Sequence, residues 1–93
     1  MVVGSLEVHI RMEGCRSLKD KRRILRPLIE RLRRDFRVAV AEVGDNDLWN
    51  VATVGVSCVS VTRTHAEQIM QSVTTAIDEG TDYTVEAIRH DYV

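Results

Sequence analysis

The residues best suited to bind a ligand are lysines and arginines. Ten of the 13 in this 93-residue sequence fall between Arg16 and Arg37, where only three acidic residues oppose them. The planar guanidinium of arginine can donate paired hydrogen bonds to phosphate oxygens, and a dense row of cations favours the binding of a polyanion. We therefore expect this segment to bind RNA or a ribosomal particle, although the same row is also typical of a solvated helix face. The predicted nucleic-acid-binding residues are Lys19, Lys21, Arg22, Arg23, Arg26, Arg33, Arg34 and Arg37.

Other reactive residue types are few. Cys15 precedes a predicted helix start, where an acidified thiol is conceivable, but a small loop residue is the favoured interpretation. His9 and His90 could share a sheet face, whereas a metal site needs three or four converging ligands. We expect no enzyme activity, no cofactor, no metal and no small-molecule substrate.

Hydrophobic periodicity places the basic segment on a helix. Residues 2–13 alternate between apolar and polar, which predicts a strand with one buried face. Apolar residues then recur at helical spacing over residues 18–36, and Ser17 with Asp20 forms a variant capping box at the start of that helix. Pro27 lies inside it and predicts a kink.

The rest of the chain alternates in the same way between predicted strands and a predicted helix. The run Val38–Val43 and residues 49–61 predict a β-hairpin, and Thr64 with Glu67 predicts the capping box of a second helix that ends at Gly80. Residues 82–91 predict a last strand. The order βαββαβ predicts one ferredoxin-like α+β domain over residues 1–93, with a four-stranded antiparallel sheet and two helices on one face.

In this topology the second strand lies at an edge of the sheet. Its apolar run lacks the proline or lysine that discourages strand pairing. Val38 and Val40 are therefore predicted interface residues of a homodimer, and Trp49 is a third, because tryptophan is enriched at binding hot spots. A homodimeric protein-interaction adaptor without nucleic-acid binding is the alternative function. Trp49 could instead cover the end of the core.

The open face of the sheet predicts little base recognition. RNA-recognition motifs stack bases on aromatic residues of the central strands. The wet positions here, such as Glu7, His9, Thr53 and Ser57, are not aromatic. We therefore expect any RNA to be bound through its phosphates and its shape.

Composition and patterning also bear on location. The sequence has no apolar run of the length a membrane helix needs, and its first residues lack a signal-peptide pattern. Two cysteines do not form a disulfide framework. We expect a cytoplasmic protein that does not associate with membranes.

Several segments resemble the YlxP-like family of small bacterial proteins, which is a domain of unknown function. The resemblance is carried by Arg16–Arg23 (RSLKDKRR), Val40–Val43 and Asp47–Trp49, and the opening Met1–Gly4 and residues 52–56 extend it over nearly the whole chain. It implies a ferredoxin-like fold and a bacterial cytoplasmic origin. Genes of this family often neighbour those of transcription and translation factors, including a ribosome-binding factor, which favours a link to RNA. The resemblance supplies no catalytic residues.

Overall fold

The computed structural model describes all 93 residues. The elements are, in chain order, β1 (Val2–Arg11), α1 (Leu18–Phe36), β2 (Ala39–Gly44), β3 (Val51–Ser60), α2 (Arg63–Asp78) and β4 (Thr84–Tyr92). The four strands form one antiparallel sheet in the order β2-β3-β1-β4, and the two helices pack on one of its faces. The predicted ferredoxin-like α+β fold is confirmed.

The core lies between the helices and the inner face of the sheet. The even positions of β1, such as Leu6 and Ile10, are 1% exposed, and Leu32 of α1 and Met70 of α2 are fully buried. Burial of each such side chain contributes roughly 1.5–3 kcal/mol. This packing fixes which side of α1 faces the sheet and which side faces solvent.

The first helix begins where the sequence predicts. The hydroxyl of Ser17 accepts a hydrogen bond from the backbone N–H of Asp20 at 3.1 Å, which satisfies one donor of the first turn. The helix continues without interruption through Pro27, which is exposed. It ends at Arg37, whose φ of 53° is left-handed and whose N–H donates to the carbonyl of Arg33.

The predicted capping box of the second helix is wrong by two residues. Thr62, not Thr64, is the cap, and its hydroxyl accepts from the N–H of His65 at 3.2 Å. β3 ends at Ser60, and α2 begins at Arg63. The guanidinium of Arg63 donates a hydrogen bond to the carboxylate of Glu67. Neither helix combines the length and hydrophobicity needed to cross a bilayer.

Candidate nucleic-acid interface

A groove on the solvent side of α1 gathers four of the predicted cations. It is lined by Lys19, Arg22, Arg23, Arg26 and Pro27, which we call the basic groove. Residues three and four positions apart on a helix are surface neighbours, so the four cations form one continuous patch. All four are exposed.

Most of the positive charge in the basic groove is uncompensated. Lys19, Arg22 and Arg26 have no acidic group within ion-pair distance. The guanidinium of Arg23 lies 3.9 Å from the carboxylate of Asp20, in an exposed pair. Such a pair contributes little in water, so the groove stays available to an anion.

Lys21 is not a surface residue, and its prediction as a nucleic-acid-binding residue is wrong. It is 2% exposed, and its Nζ donates to the carbonyls of Asp45 at 2.8 Å and Leu48 at 2.6 Å. Nζ also lies 2.5 Å from Oε2 of Glu42, although that oxygen accepts no hydrogen bond of normal geometry, so the contact is an ion pair. Lys21 follows Leu18 by three positions, which places it on the apolar side of the helix. This spacing was the signal in the sequence that could have identified Lys21 as buried.

The remaining predicted cations lie towards the end of α1. Arg33 donates to the carbonyl of Val40 at 2.6 Å, so its guanidinium is held against the edge strand β2. Arg34 pairs with its neighbour Asp35 at 3.1 Å. Arg37 is exposed and has no acidic partner. Of these three, Arg33 and Arg37 have no acidic partner and extend the unpaired charge beyond the basic groove, although the guanidinium of Arg33 is held at β2.

The predicted dimer interface differs from the expectation. β2 is an edge strand, as predicted, but the side chains of Val38 and Val40 are buried, with 6% and 5% exposure. Both valine side chains point into the core, so they cannot form a side-chain interface, whereas the backbone of the edge strand is not tested by their burial. Trp49, which is 51% exposed, is the predicted interface residue that remains accessible.

The face of the sheet away from the helices has a charged half and an apolar half. On the β1–β4 side, ion pairs join Glu7 to Arg89 and Arg11 to Glu86. The β2–β3 side carries small and apolar residues. There Val43 lies over Gly55, at a distance that would leave a Cβ on Gly55 only 2.9 Å from Cγ1 of Val43.

Histidines on this sheet do not converge. His90 pairs in register with the inward-facing Leu6, so it lies on the other side of β4 from the face that carries His9. The structure contains no group of three potential metal ligands. Instead, Nδ1 of His9 lies 3.1 Å from the hydroxyl of Thr53, which donates to the carboxylate of Asp45.

Two further side chains bear on reactivity. Ser60 is 7% exposed, and its hydroxyl lies 2.7 Å from Nδ1 of His65. Cys15 is buried, and burial, together with the nearby carboxylate of Asp20, raises the pKa of its thiol. An acidified thiol would have a lowered pKa, so the direction of this shift is the opposite. A raised pKa agrees with the interpretation of Cys15 as a small packed loop residue.

Comparison with known proteins adds a family. A family described as "Protein of unknown function (DUF503)" matches residues 3–90. A relative from Bacillus subtilis (strain 168), described as "Uncharacterized protein YlxP", is 31% identical over 77 residues, which cover 83% of this chain and 84% of that protein. The chain therefore belongs to the DUF503 family, in agreement with the YlxP-like resemblance of its sequence.

Proposed function

We propose that this protein is a non-enzymatic RNA-binding module that holds a phosphate backbone in its basic groove. The observation that carries the proposal is the set of three exposed cations without acidic partners, Lys19, Arg22 and Arg26, together with Arg23. Counterion release by such a patch supplies binding free energy that does not depend on sequence. The RNA could be free or part of a ribosomal particle in the cytoplasm, and both present the same phosphates.

Charge distribution supports α1 as the binding element. Ten basic residues lie in the segment that contains α1, while the rest of the chain carries a net negative charge. A polyanion is therefore attracted to α1 and repelled from the other faces, which orients the encounter. The buried Lys21 does not add to this surface, because its charge is compensated by Glu42, so the exposed cations alone form it.

Two hydroxyl–histidine pairs resemble catalytic pairs, but their burial argues against a catalytic role. The hydroxyls of Thr53 and Ser60, each beside a histidine, belong to buried residues. A nucleophile must reach its substrate, and these hydroxyls instead fix neighbouring turns. The buried thiol of Cys15 is poorly ionised for the same purpose.

A homodimeric adaptor is the second candidate. The observation in its favour is a shallow apolar groove on the open sheet face, lined by residues that include Ala39, Ala41, Val43 and Gly55. Against it, the Arg33 guanidinium already occupies the carbonyl of Val40 on the edge strand. RNA binding in the basic groove is therefore the preferred function.

The test measures the affinity for a fluorescein-labelled oligouridylate of about 12 nucleotides by fluorescence anisotropy. The double variant Arg22→Glu/Arg26→Glu should lose about ten-fold or more in affinity. Arg63→Glu/Arg89→Glu makes the same change in net charge on other faces and should lose much less. Affinity of the unchanged protein should fall steeply between about 50 and 200 mM salt, with a logarithmic slope of roughly −0.7 per phosphate contacted.

Equal losses in the two double variants would show that only net charge matters, and would contradict the proposal. A salt-independent affinity would contradict it as well. Circular dichroism of both variants checks that the fold is retained, which is expected because all four arginines are exposed.

A further inference from the structure

Trp49 is a large apolar side chain left half in solvent. It lies between β2 and β3, is 51% exposed, and is the only tryptophan in the chain. Its indole N–H donates no hydrogen bond within the protein. No polar contact of the side chain therefore accounts for the position of the ring, half of which faces solvent.

The backbone on both sides of Trp49 is nevertheless fixed. The carbonyl of Leu48 accepts from Nζ of the buried Lys21 at 2.6 Å, and the carbonyl of Asn50 accepts from the N–H of Met12 at 2.7 Å. A further bond joins the N–H of Leu48 to the carbonyl of Asp45 at 3.0 Å. An exposed aromatic residue on an anchored loop loses little conformational freedom when it binds a partner.

The same anchor ties the loop that carries Trp49 to α1, the helix that also carries the basic groove. Lys21, which holds the carbonyl next to Trp49, directly precedes Arg22 of the groove. The loop therefore lies against the first turns of α1. For Trp49 to contact the same ligand, a chain bound by its phosphates along Lys19 to Arg26 must continue past this loop.

We infer that Trp49 is a stacking platform for an unpaired nucleobase, and that the ligand is therefore single-stranded RNA or an unpaired segment beside a helix. The inference rests on the proposed function and adds the class of RNA to it. Aromatic rings next to a positively charged track are the common device for binding single strands, since every base has a face that can stack. The open sheet face does not supply such a ring, so Trp49 alone would do so.

The experiment compares an oligouridylate, which has bases, with inorganic polyphosphate, which has charge alone. Titration with the oligouridylate should quench the tryptophan emission, whereas polyphosphate and a fully paired RNA duplex should not. Trp49→Leu should weaken oligouridylate binding about ten-fold and leave polyphosphate binding unchanged. Trp49→Phe keeps an aromatic face and should retain most of the affinity.

The outcomes separate the inference from the function beneath it. Salt-dependent binding of both ligands that is unaffected by Trp49→Leu would overturn the stacking role and leave the basic groove intact. Binding of neither ligand would overturn both. A third outcome is dimerisation through the indole. The tryptophan emission maximum would then shift with protein concentration, and Trp49→Leu would abolish the dimer mass. This result would show that the indole contacts a second copy of the chain and would overturn the inference.

Discussion

The ammonium of Lys21 and the carboxylate of Glu42 form an ion pair beneath the β2–β3 loop, with Nζ 2.5 Å from Oε2. The Lys21 side chain is 2% exposed and that of Glu42 is 21% exposed. Two charges in such surroundings are stable only together, because each compensates the desolvation of the other. The pair joins the first turn of α1 to β2, and the hydrogen bonds of the same ammonium to the carbonyls of Asp45 and Leu48 hold the loop that carries Trp49.

Removing the positive partner should therefore destabilise the protein. Lys21→Met keeps the aliphatic length but leaves the Glu42 carboxylate and two carbonyls without their donor, and we expect a loss of about 3 kcal/mol in the free energy of unfolding. Urea denaturation followed by circular dichroism measures it. Lys19→Met, on the exposed side of the helix, should change stability by less than about 0.5 kcal/mol. A similar loss in both variants would contradict a special role for Lys21.

The contact of Arg33 with Val40 predicts an effect on association. In Arg33→Ala the Val40 carbonyl on the edge strand loses its donor and becomes available to a strand from another molecule. We expect the average mass to rise with concentration in light scattering. Arg34→Ala removes an equal charge from the same helix without touching β2, and should stay at its original mass. A monomeric Arg33→Ala would show that the edge does not need this cover.

Alkaline pH should weaken the fold, beginning with Cys15. Burial raises the pKa of its thiol above the ordinary value of 9.0, and burial also raises the pKa of Tyr83 and Tyr92 above 10.0. The unfolded chain therefore loses these protons first, so stability is full below pH 9.0 and falls as pH rises further. Urea midpoints measured from about pH 7 to about pH 10 check this.

Cys15→Ala provides the control for that dependence. The variant lacks the thiol that titrates first, so its midpoint should fall less between pH 9.0 and 10.0 than that of the unchanged protein. An identical slope in both proteins would mean that the thiol does not contribute.

Gly80 should be intolerant of a side chain because Tyr83 packs directly on it. A Cβ at this position would overlap the phenol ring, and the ring is held by the bond from its hydroxyl to the carbonyl of Ile77. We expect Gly80→Ala to cost about 1–3 kcal/mol. At Gly14 a Cβ would meet nothing within 4 Å, so Gly14→Ala should be nearly neutral. Thermal denaturation compares the two variants, and equal melting temperatures would contradict the packing argument.

The fold could be predicted from sequence because its signals are local. The alternation of β1 and the Ser17 cap of α1 each depend on residues within one turn or one strand. The start of α2 was misplaced because Thr62 and Thr64 are both good caps, and only the end of β3 decides between them.

The candidate site was predictable only in part. Charge density identified α1, but it could not separate the exposed Arg22 from the buried Lys21, whose partners Asp45 and Leu48 lie more than 20 residues away. The bond of Arg33 to β2 also depends on tertiary packing. Long side chains of one charge look alike in a sequence, and the fold assigns each to solvent or to the interior.

The packing of Val43 over Gly55 links two positions on neighbouring strands. The valine already fills the space that a side chain on Gly55 would need, so the pair shares one fixed volume. Enlarging either residue requires trimming the other. In relatives that carry alanine where this chain has Gly55, the residue matching Val43 should be smaller, a compensating exchange that a comparison of sequences would reveal without any assay.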